Sequence, residues 1–287
     1  LLPDEYKGYK NCPSIFRLVN AEGEAFLWIF ASQPLFPRLV KKDAPDAPWE
    51  VAPALGYPNV MAFSTIIPEH PGRRDGCYLG FFHRALTDGD KVMNAENKQT
   101  RRLEVVMCRT ADAGFTWSQP EVVASVPGKQ PCEPCAFWSP DNDEICCLMR
   151  ENTHKSASLM MFSTDNGQTW SEPVNTSPEL TGDRHIGTRL ADGRYFFAFR
   201  DTAIGSPTEG HFVGWIGTYD DIKNAAPGTC RVKLLHSYAG WDCGYPGVHQ
   251  LADGTVVALT YIKYHPGEEK HSVVETRFRP EEVAPLE

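Results

Sequence analysis

The chain has 287 residues, 41% of them apolar and 23% charged, and a net charge of −9. That composition is globular, and the acidic balance argues against a nucleic-acid partner. No apolar run approaches the roughly 20 residues of a membrane-spanning helix, so one soluble domain over residues 1–287 is expected.

Taken in chain order, the sequence begins Leu1-Leu2-Pro3, with neither a signal-peptide pattern nor an initiator Met, and the compartment stays open. Residues 1–10 either pair with the last repeat or are the remainder of a further one. From residue 11 a unit recurs: a strand of mixed character, a tight turn, a strongly apolar strand, and a third strand. The units start near residues 11, 60, 132, 184 and 243. The tight turns are LADG at 190–193 and again at 251–254, with looser forms at Ala21–Gly23, Arg73–Gly76 and Ser139–Asp143. Apolar strands follow them, such as Tyr195–Phe199 and Thr255–Tyr261.

Two third strands end in the same octet, S/T-x-D-x-G-x-T-W. The copies are TADAGFTW at 110–117 and STDNGQTW at 163–170, 53 residues apart. In such a turn Asp accepts from backbone amides, Gly adopts positive φ, and Trp packs back on the sheet. Thr218–Asp221 and Lys42–Trp49 carry decayed forms. Helical periodicity is not sustained anywhere. Five repeats of this kind predict an all-β protein, a β-propeller; the alternative is a β-sandwich built from similar hairpins. The nine cysteines cannot all pair within the chain, and the single C-x-x-C at Cys132 and Cys135 has no second pair at zinc-site spacing. They read as buried thiols, and no cofactor or metal is expected.

Within a unit the first two strands run antiparallel, so the start of the first and the end of the second share one face. Strand starts carry Asn11, Glu133, Arg184, His185 and Asp242–Tyr245; second-strand ends carry His83, Arg84, Arg150, Glu151, Arg200, Asp201, Lys263 and Tyr264. Arg at this station suits an anionic ligand, because guanidinium grips carboxylate with two parallel hydrogen bonds. A Tyr beside a carboxylate base can serve as a nucleophile.

These motifs make the chain similar to the sialidase (neuraminidase) superfamily, whose propellers carry such octets as Asp boxes. The resemblance runs from Asn11–Ile15 to Val273–Phe278. Cys132-Glu133-Pro134 followed by CCLMR at 146–150 resembles the family segment N-E-P…R. Asp242–Tyr245, then LADG, resembles its Y-S-S-L…D-G segment. By that resemblance Tyr245 is the nucleophile, Glu133 its base, and Arg150 the carboxylate ligand of a retaining exo-glycoside hydrolase. Arg84, Arg184, His185, Arg200, Asp201 and Lys263 complete the expected substrate-binding set, and the expected partner is a glycan with a terminal acidic sugar. Where the family carries its first and third Arg, this chain has Asn11 and His211. Its acid/base Asp falls nearest to Asp43, Asp46 or Asp75. Two other functions fit the same scaffold: a sugar-binding propeller without turnover, and a different carbohydrate-active enzyme using His185 or His211 as acid or base.

Overall fold

The computed structural model describes residues 4–8, 12–33, 35–86, 91–268 and 270–284. Asn11 lies outside them. Five sheets follow one another along the chain, each the blade of a β-propeller. The first contains β1 (Ser14–Val19), β2 (Ala25–Phe30), β3 (Arg38–Lys42) and β4 (Glu50–Ala52). The second contains β5 (Thr65–Pro68), β6 (Tyr78–Ala85), β9 (Leu103–Thr110) and β10 (Glu121–Ala124), with the ribbon β7 (Val92–Met93) and β8 (Gln99–Thr100) inserted. The third contains β11 (Pro131–Trp138), β12 (Ile145–Glu151), β13 (Leu159–Ser163) and β14 (Val174–Asn175). The fourth contains β15 (Gly182–Arg189), β16 (Tyr195–Asp201), β17 (Phe212–Gly217) and β18 (Cys230–Leu235). The fifth has three strands, β19 (Cys243–Gln250), β20 (Val256–Ile262) and β21 (Ser272–Phe278). Residues 4–8 form a 3-10 turn, and no fourth strand joins the last sheet among the described residues. Nor is any helix there long and apolar enough to cross a membrane.

Two compact units divide the chain: Leu1–Cys146 with Phe162–Glu172, and Cys147–Met161 with Pro173–Glu287. In the first, Trp28, Phe30, Phe36, Phe63 and Phe82 are fully buried, and Phe30 meets Phe63 edge-on at 4.8 Å. In the second, Phe196, Ala198, Phe212, Ile216, Val256 and Ile262 make the core. The second strands β6 and β16 are buried on both faces over most of their length, which is why they read as continuous apolar runs rather than alternating ones.

The turns follow one device. Asp75, Asp192 and Asp253 each accept a hydrogen bond from the amide two residues on, at 3.0, 2.9 and 2.9 Å. The octets are larger versions. Asp112 accepts from the Thr116 amide at 2.8 Å and its hydroxyl at 2.6 Å, and Asp165 does the same with Thr169. Thr110 and Ser163 accept from the amides of Gly114 and Gly167 at 3.0 and 2.9 Å. Gly167 sits at φ +76°, and a Cβ there would lie 3.1 Å from the Met107 sulfur. The hydroxyl and amide of Thr169 hold the Asp165 carboxylate down at about 2. Thr218 and Asp221, read as a decayed octet, instead form a capping box on the short helix α1 (Tyr219–Lys223).

The octet tryptophans are half-buried rather than engulfed. Trp117 packs on Phe63 at 4.6 Å and Trp170 meets Phe81 edge-on at 5.9 Å. Replacing Trp170 by Ala is therefore expected to cost about 2 kcal/mol, less than the ~3–5 kcal/mol of a fully buried aromatic. Chemical denaturation measures it, and an unchanged midpoint would contradict the packing.

Candidate functional site

The first strands of the last two blades are bulged near their starts. Pairing of β15 with β16 slips between Asp183 and Ile186, and pairing of β19 with β20 slips between Gly244 and Gly247. The third residue of each strand takes the left-handed conformation: Arg184 at φ +58° and Tyr245 at φ +51°. Glu133, third in β11, does the same at φ +48°. Bulges re-aim side chains, and left-handed non-glycine residues gather at functional sites.

In the second unit the Arg184 guanidinium lies over the Tyr245 ring, 5.2 Å from its centre. Beside Arg184 in sequence is Asp183, an acid that no motif marks. Its side chain is 2% exposed. The Arg150 Nε lies 2.9 Å from one carboxylate oxygen. Arg200 donates to the other through Nε, at 3.2 Å, and through a terminal nitrogen. His154 Nε2 lies 3.1 and 3.2 Å from the two oxygens. Burial works against the Asp183 charge, but Arg150, His154 and Arg200 outweigh it and hold the group well below the usual carboxylate range. The remaining Arg200 nitrogen donates to the Trp241 carbonyl and, at 3.1 Å, to that of Cys243. The Trp241 ring is 40% exposed and meets the His154 ring edge-on at 5.4 Å.

A second cluster adjoins this one. The Tyr261 hydroxyl donates to Asp242 at 3.0 Å, and His271 lies 3.2 Å from the other Asp242 oxygen. Burial, reinforced by Asp242, pushes Tyr261 up to about 12. The Tyr261 and Tyr245 rings are 6.2 Å apart.

Arg150 and Arg200 thus meet through Asp183, and Arg184 meets Tyr245. The other expected residues are placed differently. Asp201 is fully buried and turned into its own loop, accepting from the Ala203 amide at 2.9 Å, Ser206 at 2.5 Å and Thr208 at 2.6 Å, with Arg231 at 3.4 Å. His185 is 1% exposed, its Nε2 2.9 Å from the Leu180 carbonyl. Lys263 donates to the Gly267 carbonyl. His211 accepts from the Ser237 amide at 3.2 Å, and burial, with His236 and Lys233 near, holds it below its ordinary value. In the first unit the Glu133 amide donates to His83 Nδ1 at 3.2 Å, and Glu133 is 4% exposed. Arg84 donates to Glu104 at 2.6 Å and lines a cleft of about 270 Å³ with Tyr57, Asn59 and Gln119. Asp43 is paired with Arg17 and Asp75 with His70. Of Asp183 and His154, only Asp183 left a signal in the sequence: an acid directly before the strand-start Arg184, at the station where second-strand ends carry Arg150 and Arg200.

Repeated blades with bulged first strands carrying polar groups define a propeller of the repeat type. A family model described as a BNR repeat-like domain matches residues 70–258, well over half of the chain, and the chain belongs to that family. No curated protein matches it in sequence. Among solved structures it is similar to a protein of unknown function from Dyadobacter fermentans, with 13% identity and a TM-score of 0.56 over 94% of each chain. It is similar to an α-L-arabinofuranosidase from Podospora anserina solved in complex with cellotriose, with 11% identity and a TM-score of 0.54 over 96% of this chain and 91% of that one. It is also similar to a GH32 β-fructofuranosidase from Bombyx mori, with 12% identity and a TM-score of 0.55 over 94% of this chain but only 60% of the enzyme, less than two thirds of its length. At such identities the likeness is one of fold.

Asp183→Ala should lower the unfolding free energy by about 3–5 kcal/mol, because buried guanidiniums lose their counter-charge. Urea unfolding measures this. The folded carboxylate titrates below its unfolded value of about 3.9, so its stabilisation is complete above that pH and is lost as pH falls towards the folded value. The gap between wild type and variant should accordingly narrow below pH ~4.

Proposed function

We propose that the chain is a glycoside hydrolase of sialidase-like type, acting on a terminal acidic sugar with net retention. Tyr245 carries the reading. It is a half-buried phenol held in the left-handed conformation on a bulge, with a guanidinium over its ring, and a fixed orientation is what a nucleophile requires. The residue types support an anionic sugar: two guanidiniums, Arg150 and Arg200, gather at one station of the second unit, and guanidinium grips a carboxylate with two parallel hydrogen bonds. The fold of the two glycosidases above supports a carbohydrate substrate. In the proposed reaction the Tyr245 oxygen bonds to the anomeric carbon as the bond to the leaving oxygen breaks. By the family resemblance Glu133 takes the phenol proton and Arg150 binds the substrate carboxylate. Arg184 orients the tyrosine ring. Arg84, His185, Asp201 and Lys263 keep the substrate-binding role the sequence suggests only if a bound sugar draws them from the partners they hold.

One observation favours the second reading, a sugar-binding propeller without turnover. The Arg200 guanidinium is taken up by Asp183 and two backbone carbonyls rather than presented to a ligand.

Sialosides, uronides and neutral aryl glycosides form the test panel. Tyr245→Phe should abolish turnover of whichever is cleaved while leaving the unfolding midpoint unchanged, and Glu133→Gln should reduce kcat by about 100-fold or more. Full activity in Tyr245→Phe removes the tyrosine mechanism. Binding of an acidic sugar by calorimetry, with no cleavage across the panel, establishes the binding module instead.

A further inference from the structure

A retaining reaction needs a group that protonates the leaving oxygen and later deprotonates water. We propose that His154 is that acid–base residue and that Asp183 positions it; this rests on the glycosidase reading above. The geometry has the nucleophile–base–orienter logic of a catalytic dyad. A carboxylate only accepts hydrogen bonds. His154 Nε2 lies 3.1 and 3.2 Å from the two Asp183 oxygens and 3.5 Å from a donor-only Arg150 nitrogen; the two shorter carboxylate contacts decide, and Nε2 carries the proton. In the neutral ring the unprotonated nitrogen is then Nδ1, for which the described residues offer no partner. The side chain is 24% exposed, enough for a substrate oxygen or water to reach it.

Three features distinguish this ring from a histidine that merely fills space. Asp183 is already met by Arg150 and Arg200, so the carboxylate does not need a third partner for its charge. His154 occupies the left-handed region at φ +55°, a cost a non-glycine residue bears where the surroundings over-determine it. Its ring stands edge-on to Trp241, an exposed indole of the kind that receives the apolar face of a sugar. The charged groups that face the imidazole are Asp183 and Arg150, the latter with a terminal nitrogen 3.5 Å from Nε2; Arg200 lies across the carboxylate.

The Tyr245 oxygen bonds to the anomeric carbon while its proton passes to the carboxylate base. The glycosidic C–O bond breaks with its electron pair on the leaving oxygen, which takes the Nδ1 proton of the imidazolium. In the second step neutral Nδ1 takes a proton from water as the water oxygen bonds to the anomeric carbon. The bond to Tyr245 breaks, and the phenolate recovers its proton from the carboxylic acid.

Two measurements test the assignment. Nitrogen NMR of the wild-type imidazoles reads the tautomer directly: His154 should be protonated at Nε2 in its neutral form, and an Nδ1–H tautomer overturns the proposal whatever the activity. His154→Gln, with His154→Asn as the second variant if the first fails to fold, is compared on two leaving groups of the cleaved sugar. On an unactivated alkyl glycoside kcat/KM, which reports glycosylation, should fall by about 100-fold or more, the range of general acid catalysis. On the dinitrophenyl glycoside, whose leaving group needs no proton, the loss in kcat/KM should stay below about 10-fold. One limb of the pH–rate profile should disappear. Equal losses on both leaving groups, or an unchanged pH profile, overturn the role of His154 while leaving the glycosidase reading standing. A wild type that cleaves nothing on the panel defeats that reading and this assignment together.

Discussion

Asp183 is a carboxylate with almost no access to water, and the second unit is arranged around that constraint. A lone buried carboxylate would cost several kcal/mol, so it must be met by cations whose remaining donors are also satisfied. Arg150 comes from the end of β12, Arg200 from the end of β16, and His154 from the turn after β12. Arg200 passes the constraint on, since its remaining nitrogen fixes the backbone on both sides of Asp242. Tyr245 follows three residues later. The placement of the candidate nucleophile is thus tied to a charge buried in the neighbouring blade of the same unit.

Strand pleating decides which charges take part. Arg150 and Glu151, like Arg200 and Asp201, are neighbours in sequence at strand ends, and successive side chains leave opposite faces of a strand. Both arginines turn towards Asp183. Both acids turn the other way and brace the turn that follows: Glu151 accepts from the Thr153 amide at 3.2 Å, and Asp201 from the Ala203 amide at 2.9 Å. A local Arg200–Asp201 ion pair, natural on paper, is replaced by two separate networks. Asp201 finds its cation in Arg231, 30 residues away, at 3.4 Å.

Glu133, Arg184, Tyr245 and His154 share one property, a left-handed backbone on a residue with a Cβ. Each such residue costs of order 1–3 kcal/mol, and the rigid, doubly covered strands beside them supply the packing that holds the conformation. That three of the four occupy the same third position in β11, β15 and β19 makes the strain a feature of the repeat.

Much of the fold was legible in the sequence because its determinants are local. Asp–Gly turns, octets and apolar second strands act over fewer than ten residues, so the five repeats and their starts followed from pattern alone. The half-burial of Trp117 and Trp170 did not, since it depends on where Phe63 and Phe81 come to rest. The arginines at second-strand ends were visible as a class. Their partners were not: Arg150 is 33 positions from Asp183, and Arg200 is 17. No spacing rule joins residues contributed by different strands. What the sequence determined by itself was the set of local turns and strands; which carboxylate the arginines would share, and which histidine that carboxylate would orient, was decided only when tertiary packing removed Asp183 from water and required its charge to be met.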